Sequence, residues 1–431
     1  MTNPVVTIDG DKEAKKPKSW LKKLGPGLIT GAADDDPSGI ATYSQAGAQF
    51  GLSMLWTLML TYPLMVGIQI VSAKIGRVSG HGLATNIRRH YPKWLLYSII
   101  GMLLIANTIN IGADIAAMAA ALNLMLKGNI HLYVIGFGVI SLLLQIFVPY
   151  KRYVRILKWL TLSLLAYVAT VFIIHIPWTQ VVINTFWPHL SWKPVYITTV
   201  VAVFGTTISP YLFFWQSSQE VEEQQARKQQ PLLIQPKQAS ANFHRIKIDT
   251  TIGMGFSNMV AFCIILTTAL TLHMHGLTQI QTSAQAASAL KPIAGDFAFW
   301  LFSAGIIGTG MLAIPVLAGS GAYGLAGAMD IPNSLESKPT VAKGFYSIIA
   351  ISTLIGMGIC FTPIDPIKAL YWSAVINGVI SVPIMVVMMF MAARPDVMGK
   401  FVISPQLRVL GWICTGIMAI AVIAMFATLD L

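Results

Sequence analysis

The chain is short of charge. Only 11% of its 431 residues are Asp, Glu, Lys or Arg, where a soluble globular domain carries about 25%. Negative charge is the scarcer sign, with 17 acidic residues against 29 basic ones and a net charge of +12. There are three cysteines, Cys263, Cys360 and Cys414, all in apolar runs. An odd number without metal-ligand spacing excludes a disulfide framework or a zinc site and leaves them as helix-packing residues. A cleavable signal peptide is also missing, because the first 23 residues are polar and lysine-rich with no apolar core.

What is there is apolar. Hydrophobic residues make up 55%, about 237 positions, and the mean hydropathy is +0.67. That excludes a soluble enzyme. At about 20 residues per membrane helix, this is enough for roughly eleven spans and leaves almost nothing for a separate soluble domain. Excess positive charge can mark a nucleic-acid binder, but basic loops at a membrane face explain it more simply, so no nucleic-acid partner is expected.

Apolar runs broken by basic, Pro or Asn clusters give eleven segments: roughly 24–48, 52–73, 95–126, 131–149, 153–176, 195–218, 250–274, 297–328, 342–362, 366–392 and 407–428. The alternation of a lipid-facing barrel strand is absent, so the fold class is an all-α polytopic membrane protein in a lipid bilayer. Lys and Arg collect on alternate loops. The side of the N-terminus gathers Lys12 to Lys23, Lys74 to Lys93, Lys151 to Lys158, Arg227 to Lys247, and Lys338, Lys343, Arg394, Lys400 and Arg408, which is 25 of the 29; the other side has Lys127, Lys193, Lys291 and Lys368. The bias predicts a cytoplasmic N-terminus and an external C-terminus. The loop 219–249, polar and Gln-rich, is expected to be cytoplasmic, mobile and without chemistry. His273 and His275 are two apart and do not share a helix face, so an interfacial place suits them better than metal binding.

Two spans look broken. The first reads Gly25-Pro-Gly-Leu-Ile-Thr-Gly-Ala-Ala-Asp-Asp-Asp-Pro-Ser-Gly39. Carboxylates in an apolar segment are expensive, about 3 kcal/mol each on insertion scales. Pro37 removes a backbone donor and Gly39 tolerates unusual dihedrals. An extramembrane loop is the alternative, but only about ten apolar-compatible residues follow the last lysine, a half-helix too short to span. The sixth span carries Phe204-Gly205-Thr206-Thr207-Ile208-Ser209-Pro210-Tyr211. By itself this is compatible with an ordinary proline kink. Its place raises its weight, since one break opens spans one to five and the other opens spans six to ten. An odd number of spans per repeat inverts the second repeat, and paired discontinuous helices in inverted repeats mark a substrate site at the midplane. Carboxylates, unwound carbonyls and helix C-termini converging there suit a cation.

At these residues the chain resembles the Nramp (SLC11) family of divalent metal transporters, through Gly25-Pro-Gly27, Asp36-Pro37, Gln45-Ala-Gly-Ala-Gln-Phe-Gly51 and Ala121-Leu-Asn-Leu124. The resemblance runs through all eleven spans. It implies a LeuT-like fold of two inverted five-helix repeats with discontinuous helices 1 and 6: a basic tail 1–23, a first repeat 24–176, a second repeat 177–392 and an eleventh helix with the C-terminus, 393–431. The family's metal site uses Asp and Asn of a DPGN motif with a carbonyl and a Met thioether from a GATVMPH-like motif. Here the Asp becomes Asp36, the Asn becomes Gly39, the carbonyl falls at Thr206, the Met at Ser209 and the His at Tyr211. This set is similar to the Nramp-related magnesium transporters.

The donor chemistry points the same way. A thioether is soft and favours transition metals. Mg²⁺ prefers oxygens and keeps its waters. Gly39 and Ser209 in place of Asn and Met are expected to make a roomier, all-oxygen site, with Asp34 and Asp35 adding negative charge as ligands or as an attracting vestibule. Magnesium is the expected cargo, with manganese also carried, by a plasma-membrane importer that is not an enzyme and has no cofactor; the sequence leaves the oligomeric state open, a monomer included. Tyr211 replaces the family's proton-accepting His, and a phenol with pKa near 10 is a poor carrier. The ninth span has no Arg or acid in its apolar run. Asp114 takes the acidic position of the third span, and a buried bond to Asn110 or Thr108 is its plainer reading. Passive, potential-driven entry therefore fits better than the alternative, a proton-coupled Mn²⁺/Fe²⁺ transporter of the same family. Asn377, with Ser381, is a further candidate from the tenth span. Two rivals stand apart: a sodium-coupled organic-solute symporter, which would need room for an organic body, and a membrane enzyme, for which no nucleophile accompanies the acids.

Overall fold

The computed structural model describes residues 26–148 and 162–429, all helices, turns and loops, with no strand among the described residues. In chain order the helices are α1 (Pro26–Asp34), α2 (Pro37–Phe50), α3 (Leu55–Ser79), α4 (Leu83–His90), α5 (Lys93–Leu126), α6 (Ile130–Phe147), α7 (Leu165–Val171), α8 (Trp178–Phe186), α9 (Pro194–Thr207), α10 (Pro210–Ala226), α11 (Ala239–Thr271), α12 (Ala298–Met329), α13 (Lys343–Ile359), α14 (Pro366–Ala392) and α15 (Pro405–Leu429). Within the described residues each predicted apolar segment contains helix, interrupted at 35–36 and 208–209. The tail 1–23 and residues 149–161, which include Lys151 to Lys158 and the start of the predicted fifth span, lie outside them.

Among the described residues, eight helical stretches are long and apolar enough to cross a membrane. One of these, Pro37–Ser79, covers the second half of the first predicted span and all of the second. It reverses at Gly51, whose φ of +59° lies where glycine is favoured. The first and sixth spans are each split. The α1 half has 9 residues and α2 has 14, while α9 has 14 and α10 has 17. At 1.5 Å per residue none of the four crosses a hydrocarbon core of about 30 Å by itself. Each pair together does.

Two close approaches set the frame around the breaks. A Cβ on Gly31 of α1 would lie 2.2 Å from the backbone of Gly253 in α11, and one on Gly205 of α9 would lie 2.1 Å from the carbonyl oxygen of Ala374 in α14. Only residues without a side chain permit such contact, the usual device of helix packing in membranes. So α1 lies flat on α11, and α9 lies flat on α14. The long α5 packs against α12, α13 and α14 and brings its polar face to the first break.

The loop expected over 219–249 is mostly not a loop. Helix α10 continues to Ala226 and α11 begins at Ala239. Glu and Gln are good helix formers, so Gln219 to Ala226 extends the helix beyond its apolar part. The extension carries an ion-pair cluster: Arg245 meets Glu220, Glu223 at 3.1 Å and Asp249 at 3.0 Å. Arg77 of α3, fully buried, donates to Gln229 and Asn242. The polar composition marked an ionic joint between α3, α10 and α11.

Candidate metal site at the paired breaks

Asp36 stands at the first break as the N-cap of α2. Its backbone is extended, at φ −76° and ψ 169°, and Pro37 is the first residue of the helix. Asp followed by Pro is a strong start signal, because the carboxylate takes an orphan N–H and proline needs none. The Gly39 N–H donates to Asp36 Oδ1 at 2.7 Å and the Asn110 amide of α5 donates to Oδ2 at 3.0 Å. Asn110 is itself held, accepting from Ser373 Oγ of α14 at 2.6 Å, and Ser373 lies 3.1 Å from the Ser38 hydroxyl. The carboxylate is 2% exposed and keeps lone pairs beyond these bonds.

Asp34 and Asp35 turn elsewhere. The Ser257 hydroxyl of α11 lies 2.8 Å from Asp34 Oδ2 and 2.9 Å from Asp35 Oδ1. A hydroxyl has one proton, so it serves one of the two at a time. The three consecutive acids thus divide, one toward α5 and two toward α11. Among the described residues no three His, Cys, Asp or Glu side chains converge to hold an ion between them. An ion at this place takes carbonyls, hydroxyls or water in addition.

The second break supplies such oxygens. Ser209, extended at φ −79° and ψ 130°, caps α10 with Pro210 next. Its hydroxyl lies 2.8 Å from the carbonyl oxygens of both Gly205 and Thr206 and donates to one of them at a time. The carbonyl and the hydroxyl predicted as ligands are therefore neighbours, each with a lone pair left. The two breaks face each other. A Cβ on Gly39 would come 3.1 Å from Thr206 Oγ1 and 3.3 Å from the Tyr43 ring, and the Tyr211 hydroxyl donates to the carbonyl of Ala33 at 3.3 Å. Position 39 is thus not an open space: the Thr206 hydroxyl and Tyr43 already fill it.

Asp114 departs from the bond expected for it. It is fully buried and neither carboxylate oxygen has a hydrogen-bond partner. The Asn110 side chain, one turn away, is engaged by Asp36 and Ser373 instead. Asn377 is buried on α14 with its Oδ1 unpartnered, one turn beyond Ser373. His273 donates from Nδ1–H to the carbonyl of Ala48 at 2.8 Å and, among the described residues, joins no metal-binding group. Sequence reasoning missed Asn110, Ser373 and Ser257 as members of the site. For Asn110 a signal existed: Asn107, Asn110 and Asp114 recur at three and four residues, one face of a helix in an apolar span.

A buried acid between two facing helix breaks, in a bundle of apolar helices, defines a membrane transporter of the inverted-repeat class. The Nramp model (natural resistance-associated macrophage protein-like) matches residues 27–428, and the chain belongs to this family. Among curated proteins it is 24% identical over 431 residues to the divalent metal cation transporter MntH of Klebsiella pneumoniae, covering 97% of this chain and 96% of that one. It is 23% identical over 413 residues to MntH of Caldanaerobacter subterraneus, at 91% and 90% coverage. Among solved structures, the Eremococcus coleocola manganese transporter superposes with a TM-score of 0.71 at 17% identity, covering 96% of this chain and 89% of that one. MhsT in complex with L-phenylalanine superposes at 0.61 and 13% identity, covering 93% and 98%. These likenesses establish the LeuT-like fold.

Proposed function

We propose that this chain imports divalent metal ions, Mg²⁺ foremost and Mn²⁺ also, through a site formed by Asp36, Gly39, Thr206 and Ser209 with Asp34 and Asp35 beside it. The observation that carries the reading is the buried carboxylate of Asp36 at one break, held by the N–H of Gly39, with Thr206 Oγ1 of the other break 3.1 Å from where a Cβ at Gly39 would lie. The donors of the proposed site are all oxygen. A hard ion that retains water suits them, and no thioether favours a soft one. Relatives named as divalent metal transporters support the class. The repeats are 24–176 and 177–392, inverted, in the plasma membrane with the N-terminus inside and the C-terminus outside.

Entry is driven by the membrane potential without a stoichiometric proton. Tyr211, whose hydroxyl donates to Ala33, stands where the family has its His. The potential contributes about 2.3 kcal/mol per charge per 100 mV, doubled for a divalent ion. The test is uptake by purified protein in liposomes with Mg²⁺, Mn²⁺ and Ca²⁺ in parallel, a pH dye inside and an inward-negative potential imposed. Mg²⁺ entry with constant internal pH is expected. Acidification that scales with metal entry would refute the uniport reading, and a labelled organic solute accumulating with sodium in place of Mg²⁺ would favour the symporter.

A further inference from the structure

On the side of the bundle that holds the ionic joint, a cavity of about 410 Å³ opens between α6, α10, α12 and the turn before α13. Its polar lining includes Gln145, Gln219, Glu222, Glu336, Lys338 and Tyr346. Glu222 is buried, and its Oε1 accepts from the Tyr323 hydroxyl and from the Leu335 N–H, both at 2.6 Å. Those bonds fix the carboxylate at the wall. Gln145 is 5% exposed, its amide nitrogen donates to the Ser141 carbonyl at 3.1 Å, and its Oε1 has no partner. A buried acceptor oxygen left unsatisfied is costly, so this wall suits a donor that is not part of the chain. Neither residue belongs to the site at the helix breaks.

We infer that this cavity is a second cation station, which holds a hydrated divalent ion through its water shell between Glu222 and Gln145. The inference rests on the reading of the chain as a divalent-cation transporter. Size permits it: an ion with six waters fills roughly 200 Å³ at about 30 Å³ per water. Sign permits it as well. A shell water donates to Gln145 Oε1, while the fixed charge of Glu222 attracts the ion across one layer of water. Mg²⁺ is commonly held in this manner, by one or two carboxylates with most of its waters kept. Lys338 is exposed, where solvent screens it. The adjoining cavity of about 260 Å³ shares Glu222 and is lined also by Arg89 and Asp330, both exposed. On the opposite side of the breaks, the space lined by Ala41, Ser44, Ile280 and Phe302 is only about 10 Å³ and admits no hydrated ion. An ion released from the breaks therefore has room on the Glu222 side alone among these spaces.

The test is calorimetric titration of the purified full chain with Mg²⁺, in wild type, Asp36→Ala, Glu222→Gln and the double variant, with hexaamminecobalt(III) as a competitor that cannot lose its ligands. Two Mg²⁺ are expected in wild type and one in each single variant. The site remaining in Asp36→Ala is expected to be displaced by hexaamminecobalt(III), and to weaken about three- to tenfold on adding Gln145→Leu. Gln145→Leu also carries the test should Glu222→Gln fail to elute as a folded monodisperse species. Loss of all binding in Asp36→Ala, or a remaining site indifferent to both Glu222→Gln and Gln145→Leu, overturns the station and leaves the central site standing. Binding unchanged by Asp36→Ala but reduced by Glu222→Gln supports the station and refutes the central site.

Discussion

At both breaks a helix stops, a residue adopts an extended conformation, and proline begins the next helix: Asp36–Pro37 in one span and Ser209–Pro210 in the other. The local plan is shared and the chemistry is not. The first break carries three acids, and its polar partners come from other helices, Asn110 of α5 and Ser257 of α11. The second carries no charge, and its hydroxyls fold back on their own chain: Ser209 on Gly205 and Thr206, Thr207 on Val203. One break thus supplies charge held by its surroundings, and the other supplies neutral oxygens held by itself. Attraction of the ion is assigned to the first and discrimination among ions to the second.

Substitutions at the two breaks should therefore differ in kind. The largest effect is expected at Asp36→Ala, which removes the carboxylate facing the second break. Metal uptake in liposomes should fall at least a hundredfold in folded protein. A rate within a factor of two of wild type would break the assignment. Next comes the graft Gly39→Asn with Ser209→Met, which should raise the Cd²⁺-to-Mg²⁺ uptake ratio about tenfold by adding a soft ligand, roughly 1.4 kcal/mol of relative preference. Because Thr206 Oγ1 would lie 3.1 Å from the new Cβ at position 39, the single Ser209→Met change should carry most of that shift. An unchanged ratio would move selectivity to the first break.

A smaller effect is expected at Ser257→Ala. It leaves two buried carboxylates without their shared donor, and a lost bond to a charged group costs about 1.5–3 kcal/mol. Thermal unfolding of the detergent-solubilised protein should occur several degrees lower, with uptake reduced about threefold. No change in either measurement would mean that Asp34 and Asp35 are satisfied by solvent. The smallest effect is predicted for Ser209→Ala, within about twofold in Mg²⁺ uptake, since the Thr206 carbonyl remains free to face the ion. A loss comparable to that of Asp36→Ala would show that the hydroxyl, not the carbonyl, is the principal oxygen of the second break.

The breaks were legible in the sequence because their signals are local. Pro37 and Pro210 end one helix and start another whatever the surroundings, and three acids in an apolar run announce themselves by cost. The partners of those acids were not legible. Serine is common and inexpensive in membrane helices, so nothing in the α11 sequence separates Ser257 from Thr267 or Thr268 before the helix is docked on α1. The room expected at Gly39 failed for a related reason: a missing side chain is an opening only if no neighbour fills it, and Tyr43 and Thr206 do. Residues 219–249 were misjudged through polarity. A polar stretch reads as a solvated loop, yet Glu220 and Asp249 are buried because Arg245 lies between them.

The brevity of α1 has a mechanical consequence. Nine residues leave room for about five backbone bonds of the i to i−4 type, since four amides at one end find no partner within the helix. Where Gly31 meets Gly253, the surfaces are smooth backbone without interlocking side chains. The segment leads directly into the three acids and rests on α11, the helix that the ionic joint at Arg245 ties to α10. A smooth contact and an ion-paired one thus share a single helix.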